Sequence, residues 1–133
     1  MPSLALVTAP ASLSNLGPGF DALGLAVEGL GDTVEVWRDD APGVRVVPND
    51  SGAVWTVPDD RQNTAVVAAE SVLEKAGAPF GLRLRIRKGL TPGSGLGSSA
   101  ASAVAGAWAA NVACGTPFSK AQLVDAVLDG EAV

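Results

Sequence analysis

The 133-residue sequence has no histidine, no tyrosine and a single cysteine. Without histidine, imidazole acid–base catalysis and histidine-ligated metal sites are excluded for these residues. Cys114 has no second cysteine to bridge, so no internal disulfide forms and a reducing compartment is expected. Long apolar runs are also missing. The most apolar stretch, Ala100 to Cys114, is too short and too rich in alanine to span a bilayer. The opening MPSLALVTAP has neither the charged start nor the apolar core of a secretion signal. The expectation is a cytoplasmic protein with no membrane partner. A net charge of −5 argues against nucleic acid as the main partner.

What is present reads as a globular composition. Hydrophobic residues make up 47% and charged residues 17%, and the length suffices for one core without staples. The apolar content is mostly alanine and valine, which favours close contacts between elements.

Leu4 to Ala9 reads as a short strand closed by Pro10, and residues 12 to 25 as an ordered loop. Asp32 to Arg38 alternates as a strand, with Val34 and Val36 on one face; Val44 to Pro48 and Ala53 to Val57 are two further short strands. A helix follows, with Val66, Ala69, Leu73 and Ala76 on one stripe and Gly77 as its stop. LRLRIR, Leu82 to Arg87, alternates strictly and predicts a strand with one buried face. A second helix is predicted from about Ser98 to Cys114, stopping at Gly115. A third opens at Ser119 with a capping box to Gln122. This order predicts an α+β fold, a mixed or antiparallel sheet with helices packed on one face.

The stretch PGSGLGSSAASA, residues 92 to 103, carries the chemistry. Gly93, Gly95 and Gly97 allow close backbone approach to a ligand. Ser98 and Ser99 stand at a helix start, where unpaired N–H groups and about half a unit of positive dipole charge favour an anion. Two common phosphate loops fail. The dinucleotide fingerprint requires a strand after the helix, but a second helix follows here. The P-loop requires lysine where Gly97 stands. Taken alone, the loop is either a phosphate cradle or a tight turn capped by Ser98.

A second motif accompanies it. Pro92 to Ala100 resembles the phosphate loop of the galactokinase, homoserine kinase, mevalonate kinase and phosphomevalonate kinase (GHMP) superfamily. APASLSNLGPGFDALGL, residues 9 to 25, resembles the homoserine kinase signature. The resemblance implies transfer of the ATP γ-phosphoryl group to the hydroxyl of L-homoserine, with ATP and Mg²⁺ as cofactors, within threonine biosynthesis. It implies that Pro92, Gly93, Ser94, Gly95, Leu96, Gly97, Ser98 and Ser99 hold the triphosphate, and that Ser99 and Glu131 lie at the metal. Asn15 and Asp21 fall at substrate-binding positions, and Asn63 where adenine is contacted. No residue is assigned as a catalytic base. Residues 1–133 then form an ATP-binding N-terminal domain, apparently incomplete and without the C-terminal domain, and a homodimer is compatible with the resemblance.

Each position has a plainer alternative. Asn15 suits an Asx turn, Asp21 a cap of the following segment, Asn63 a helix N-cap, and Glu131 a solvated helix end. Arg83, Arg85 and Arg87 read as a solvated sheet face, Lys88 as a surface residue and Trp108 as core. Leu13 stands where the signature has a small polar residue. Two rival functions remain: another GHMP small-molecule kinase, and a non-catalytic nucleotide-binding or interaction fragment.

Overall fold

Strand alternation decides which side of the sheet is covered. In the computed structural model, which describes residues 4–14, 24–47, 63–87 and 98–131, β1 (Ala5–Ser14) pairs antiparallel with β2 (Gly24–Asp39). β3 (Val44–Val46) runs parallel to β4 (Gly81–Arg87), which pairs antiparallel with β2, giving the order β1-β2-β4-β3. Asp32, Val34 and Val36 of β2 and Leu82, Leu84 and Ile86 of β4 are buried on the helix side. Each such Val or Leu contributes about 1.5–3 kcal/mol relative to exposure.

The opposite face is polar. Arg85 and Arg87 approach the Glu35 carboxylate at 3.5 and 3.7 Å, and the Arg85 guanidinium lies 5.2 Å from the Trp37 ring centre. Arg85 and Arg87 of the arginine stripe are therefore engaged within the sheet face itself. Partly exposed pairs of this kind contribute up to about 1 kcal/mol each.

Pro10 does not close the first strand. β1 continues to Ser14, with a register shift between Pro10 and Ala11. Proline is tolerated because β1 lies at the sheet edge, where a missing N–H need not break a ladder. Ser12 to Ser14 then pair with Ala26 to Gly24, so the ends of the expected loop 12–25 are strand rather than loop. β2 is likewise longer than its alternating part. The expected strand Ala53 to Val57 lies outside the described residues.

The helical layer consists of α1 (Thr64–Ala76), α2 (Ser98–Ala113) and α3 (Val124–Glu131). Gly77 ends α1 in the left-handed conformation at φ 64°, as the stripe predicts. The buried surface of α1 is wider than that stripe: Ala65, Val67, Ala68 and Val72 are buried too, because α2 and α3 pack against the helix as well as the sheet. The box at Ser119 forms, with Ser119 N–H donating to Gln122 Oε1 (2.9 Å) and Gln122 N–H to Ser119 Oγ (3.3 Å). It closes a turn over 120–123, and the regular helix begins only at Val124. No described helix is long and apolar enough to cross a membrane.

Candidate functional site

Short side chains let the start of α1 pack closely on the middle of α2. Ala65, in the first turn of α1, lies against Gly106 of α2 so closely that a methyl group at 106 would sit 2.8 Å from its Cα. Gly130, one residue before the end of α3, is also closely approached. A Cβ there would lie 2.7 Å from the Thr64 carbonyl oxygen and 3.2 Å from the Ala103 methyl. Ala103 is five residues, or about 7.5 Å of helix rise, from Ser98. The start of α1 thus packs on the middle of α2, and the end of α3 passes beside Thr64 and Ala103.

Asn63 caps α1. Its Oδ1 accepts from the N–H groups of Ala65 (3.0 Å) and Val66 (3.4 Å), at 5% exposure. Asn63→Ala is expected to lower stability by about 1 kcal/mol, read as a shift in the urea midpoint with unchanged slope. Ser98 and Ser99 open α2, whose first N–H groups have no partner within the helix. Glu131 ends α3. Asn15, Asp21, Lys88 and the loop Pro92 to Gly97 lie outside the described residues.

Helix α2 is tied to β2 at both ends. Near its start, the Ser102 hydroxyl donates to Asp32 Oδ2 at 2.9 Å, both residues being buried. At its end, the Arg38 guanidinium donates through Nε (3.1 Å) and Nη2 (2.7 Å) to the Ala113 carbonyl and also covers the Phe80 ring. An acid near the N-terminus and a base at the C-terminus both match the helix dipole. Neither Asp32 nor Ser102 was singled out by motif. The available signal was phase: Asp32 shares the inward face with Val34 and Val36.

Two other features have different chemistry. A cavity of about 460 Å³ between β1, α2 and α3 is walled mainly by apolar groups such as Val7, Val104 and Leu128. Trp108 lines it half-buried, with the Lys120 ammonium 5.9 Å from its ring centre, so it is a cavity wall rather than full core. The Cys114 thiol, beside the end of α2, is pushed above its usual pKa by burial, partly offset by the Arg38 guanidinium. It stays protonated at neutral pH. Among the described residues no group of three or more acidic or cysteine side chains is arranged to hold a metal.

Comparison with known proteins gives this arrangement its context. The profile described as GHMP kinases N terminal domain matches residues 63–133, from the α1 cap through α3. A homoserine kinase of Xanthomonas campestris pv. campestris is 46% identical over 125 residues, which is 94% of this chain and 39% of that protein. A homoserine kinase of Pyrococcus abyssi is 41% identical over 125 residues, 94% of this chain and 40% of that protein. The crystal structure of homoserine kinase from Cytophaga hutchinsonii superposes with a TM-score of 0.84 at 38% identity, covering 95% of this chain and 40% of that one. Mevalonate kinase from Methanococcus jannaschii, at 15% identity and a TM-score of 0.73, shares the fold. The chain spans about 40% of the length of the homoserine kinases it matches. With the profile running from α1 through α3, over more than half of the sequence, the chain belongs to the GHMP kinases.

Proposed function

We propose that this chain is the ATP-binding part of a homoserine kinase, which transfers the γ-phosphoryl group of ATP to the hydroxyl of L-homoserine. The observation that carries the proposal is 46% identity to a homoserine kinase across 94% of the chain. The helix start at Ser98, directly after the glycine-rich loop, supports it physically.

In this reading, residues Pro92 to Ser99 surround the triphosphate, and the unpaired N–H groups of α2 stabilise its charge. Phosphoryl transfer needs positioning and charge neutralisation more than covalent chemistry from the protein, so a helix start with a few oxygen ligands is a sufficient core. The Ser99 hydroxyl and the Glu131 carboxylate are hard oxygen donors of the type Mg²⁺ takes. A bound Mg²⁺ would neutralise charge on the phosphate oxygens. Asp21 would pair with the homoserine ammonium and Asn15 with its polar groups, while Asn63 places the start of α1 beside the adenine. No residue is assigned as catalytic base.

Because the matched homoserine kinases are more than twice as long, we expect the 133-residue chain alone to bind Mg-ATP weakly and to show little or no turnover. Calorimetric titration with Mg-ATP, and ADP release with L-homoserine, mevalonate and galactose as acceptors, test this. Turnover near that of a complete enzyme would show that the chain needs nothing more. A preference for another acceptor would replace homoserine with a different GHMP substrate. Absence of Mg-ATP binding would remove the nucleotide site.

A further inference from the structure

A buried carboxylate is an unusual component of this core. Asp32 is 0% exposed and shares the inward face of β2 with Val34 and Val36, which are also 0% exposed. An ionisable group in such surroundings loses hydration worth several kcal/mol, and an apolar residue of similar size would often serve stability as well. One group that it holds is on α2. Ser102 donates to it at 2.9 Å, and Ser102 is one helical turn from Ser98 on the same face of α2.

The other end of the same helix completes the geometry. Asp32 and Arg38 are six residues apart on β2, a span of about 20 Å at the rise of a strand. Ser102 and Ala113 are eleven residues apart on α2, about 16 Å at the rise of a helix. The two lengths nearly match, so strand and helix run alongside each other with a polar tie at each end. Between the ties the contact is made by alanine and valine, which resist sliding and rotation weakly. The ties therefore set the axial position and rotation of α2.

We propose that Asp32, acting through Ser102, is a positioning residue that holds the first turn of α2 in the orientation required for phosphate binding. The inference rests on the reading of that helix start as the triphosphate site. Asp32 does not touch the nucleotide in this scheme. It keeps the N–H groups around Ser98 and Ser99 aimed at one point.

Two readouts test it in the 133-residue chain. Hydrogen exchange of the ligand-free chain reports the helix start directly. Ser102→Ala and Asp32→Ala are expected to accelerate exchange about tenfold or more at the amides near residues 101–104. Residues 107–113 and α1 should remain protected. Asp32→Asn, whose Oδ1 still accepts from the Ser102 hydroxyl, should retain most of that protection. Titration with Mg-ATP and with inorganic tripolyphosphate then reads the consequence. The dissociation constants should rise about tenfold for Ser102→Ala, the loss of roughly one hydrogen bond to a charged group, and change less than about threefold for Asp32→Asn.

Unchanged exchange, or acceleration spread evenly over α1 and α2, overturns the proposal, as does a frayed helix start with undiminished affinity for both ligands. If the parent chain shows the local exchange pattern in its variants but binds neither ligand, the triphosphate reading fails. Asp32 is then only a helix anchor. Ser102→Ala keeps the test decisive should Asp32→Ala fail to fold.

Discussion

Gly106→Leu is expected to abolish the cooperative unfolding transition, and Gly106→Ala to lower stability by about 2–4 kcal/mol. At this position α1 and α2 cross backbone to backbone. A Cβ would fall 2.8 Å from the Ala65 Cα and 2.9 Å from its carbonyl carbon, as well as against the carbonyl oxygen. Those atoms belong to a helix whose surrounding residues are wholly buried, so they cannot swing aside as a flexible side chain would. Relief requires the helices to separate, which opens space along their interface. A domain stable by about 5–15 kcal/mol tolerates the alanine and not the leucine. Thermal and urea unfolding followed by circular dichroism check both. A Gly106→Leu chain that still unfolds cooperatively near the parent midpoint would show that the crossing is looser than its geometry implies.

The second large effect is expected at Asn111. This residue is 0% exposed, and its carboxamide pairs with both backbone groups of Phe118: Nδ2 donates to the carbonyl at 2.8 Å and Oδ1 accepts the N–H at 3.0 Å. Its own carbonyl accepts from Thr116 N–H at 2.8 Å, where the chain turns through left-handed Gly115 and Thr116. Asn111 thus fixes the link from α2 to α3. Alanine would leave two partly buried backbone groups without partners, each worth about 1–3 kcal/mol. Asn111→Ala should lower stability by about 3 kcal/mol, or roughly 10 °C in the unfolding midpoint. Asn111→Asp should be worse at neutral pH, because a carboxylate oxygen replaces the donor facing the Phe118 carbonyl. Scanning calorimetry of the two variants tests the order. Equal midpoints for Ala and Asp would mean that the carboxamide donor has no weight. Loosening this link also frees α3, which packs on α1 and α2.

Periodicity is read well where one face is buried and the other wet. LRLRIR became β4 at nearly its predicted bounds, and the stops at Gly77 and Gly115 are left-handed residues that a side chain would resist. Pro10 misled because its cost depends on whether the strand has a neighbour on that side, and local sequence does not show sheet order. The α1 stripe was too narrow for a similar reason: periodicity marks one packed face, while α1 is covered on several. The box at Ser119 was legible in its hydrogen bonds, yet those bonds closed a turn before the regular helix.

The sequence by itself determined the α+β class, the exclusion of imidazole chemistry and the pairing of a glycine–serine loop with a helix start. These are properties of residue type and short spacing. Its two motifs also pointed to the family that the relatives establish. Only the tertiary structure decided that the start of α1 crosses the middle of α2 at Gly106 and that Gly130 of α3 passes beside Thr64. It also decided that Asp32 faces Ser102, 70 residues later in the chain. Contacts at such separations depend on how elements pack, and spacing along one strand or helix cannot encode them.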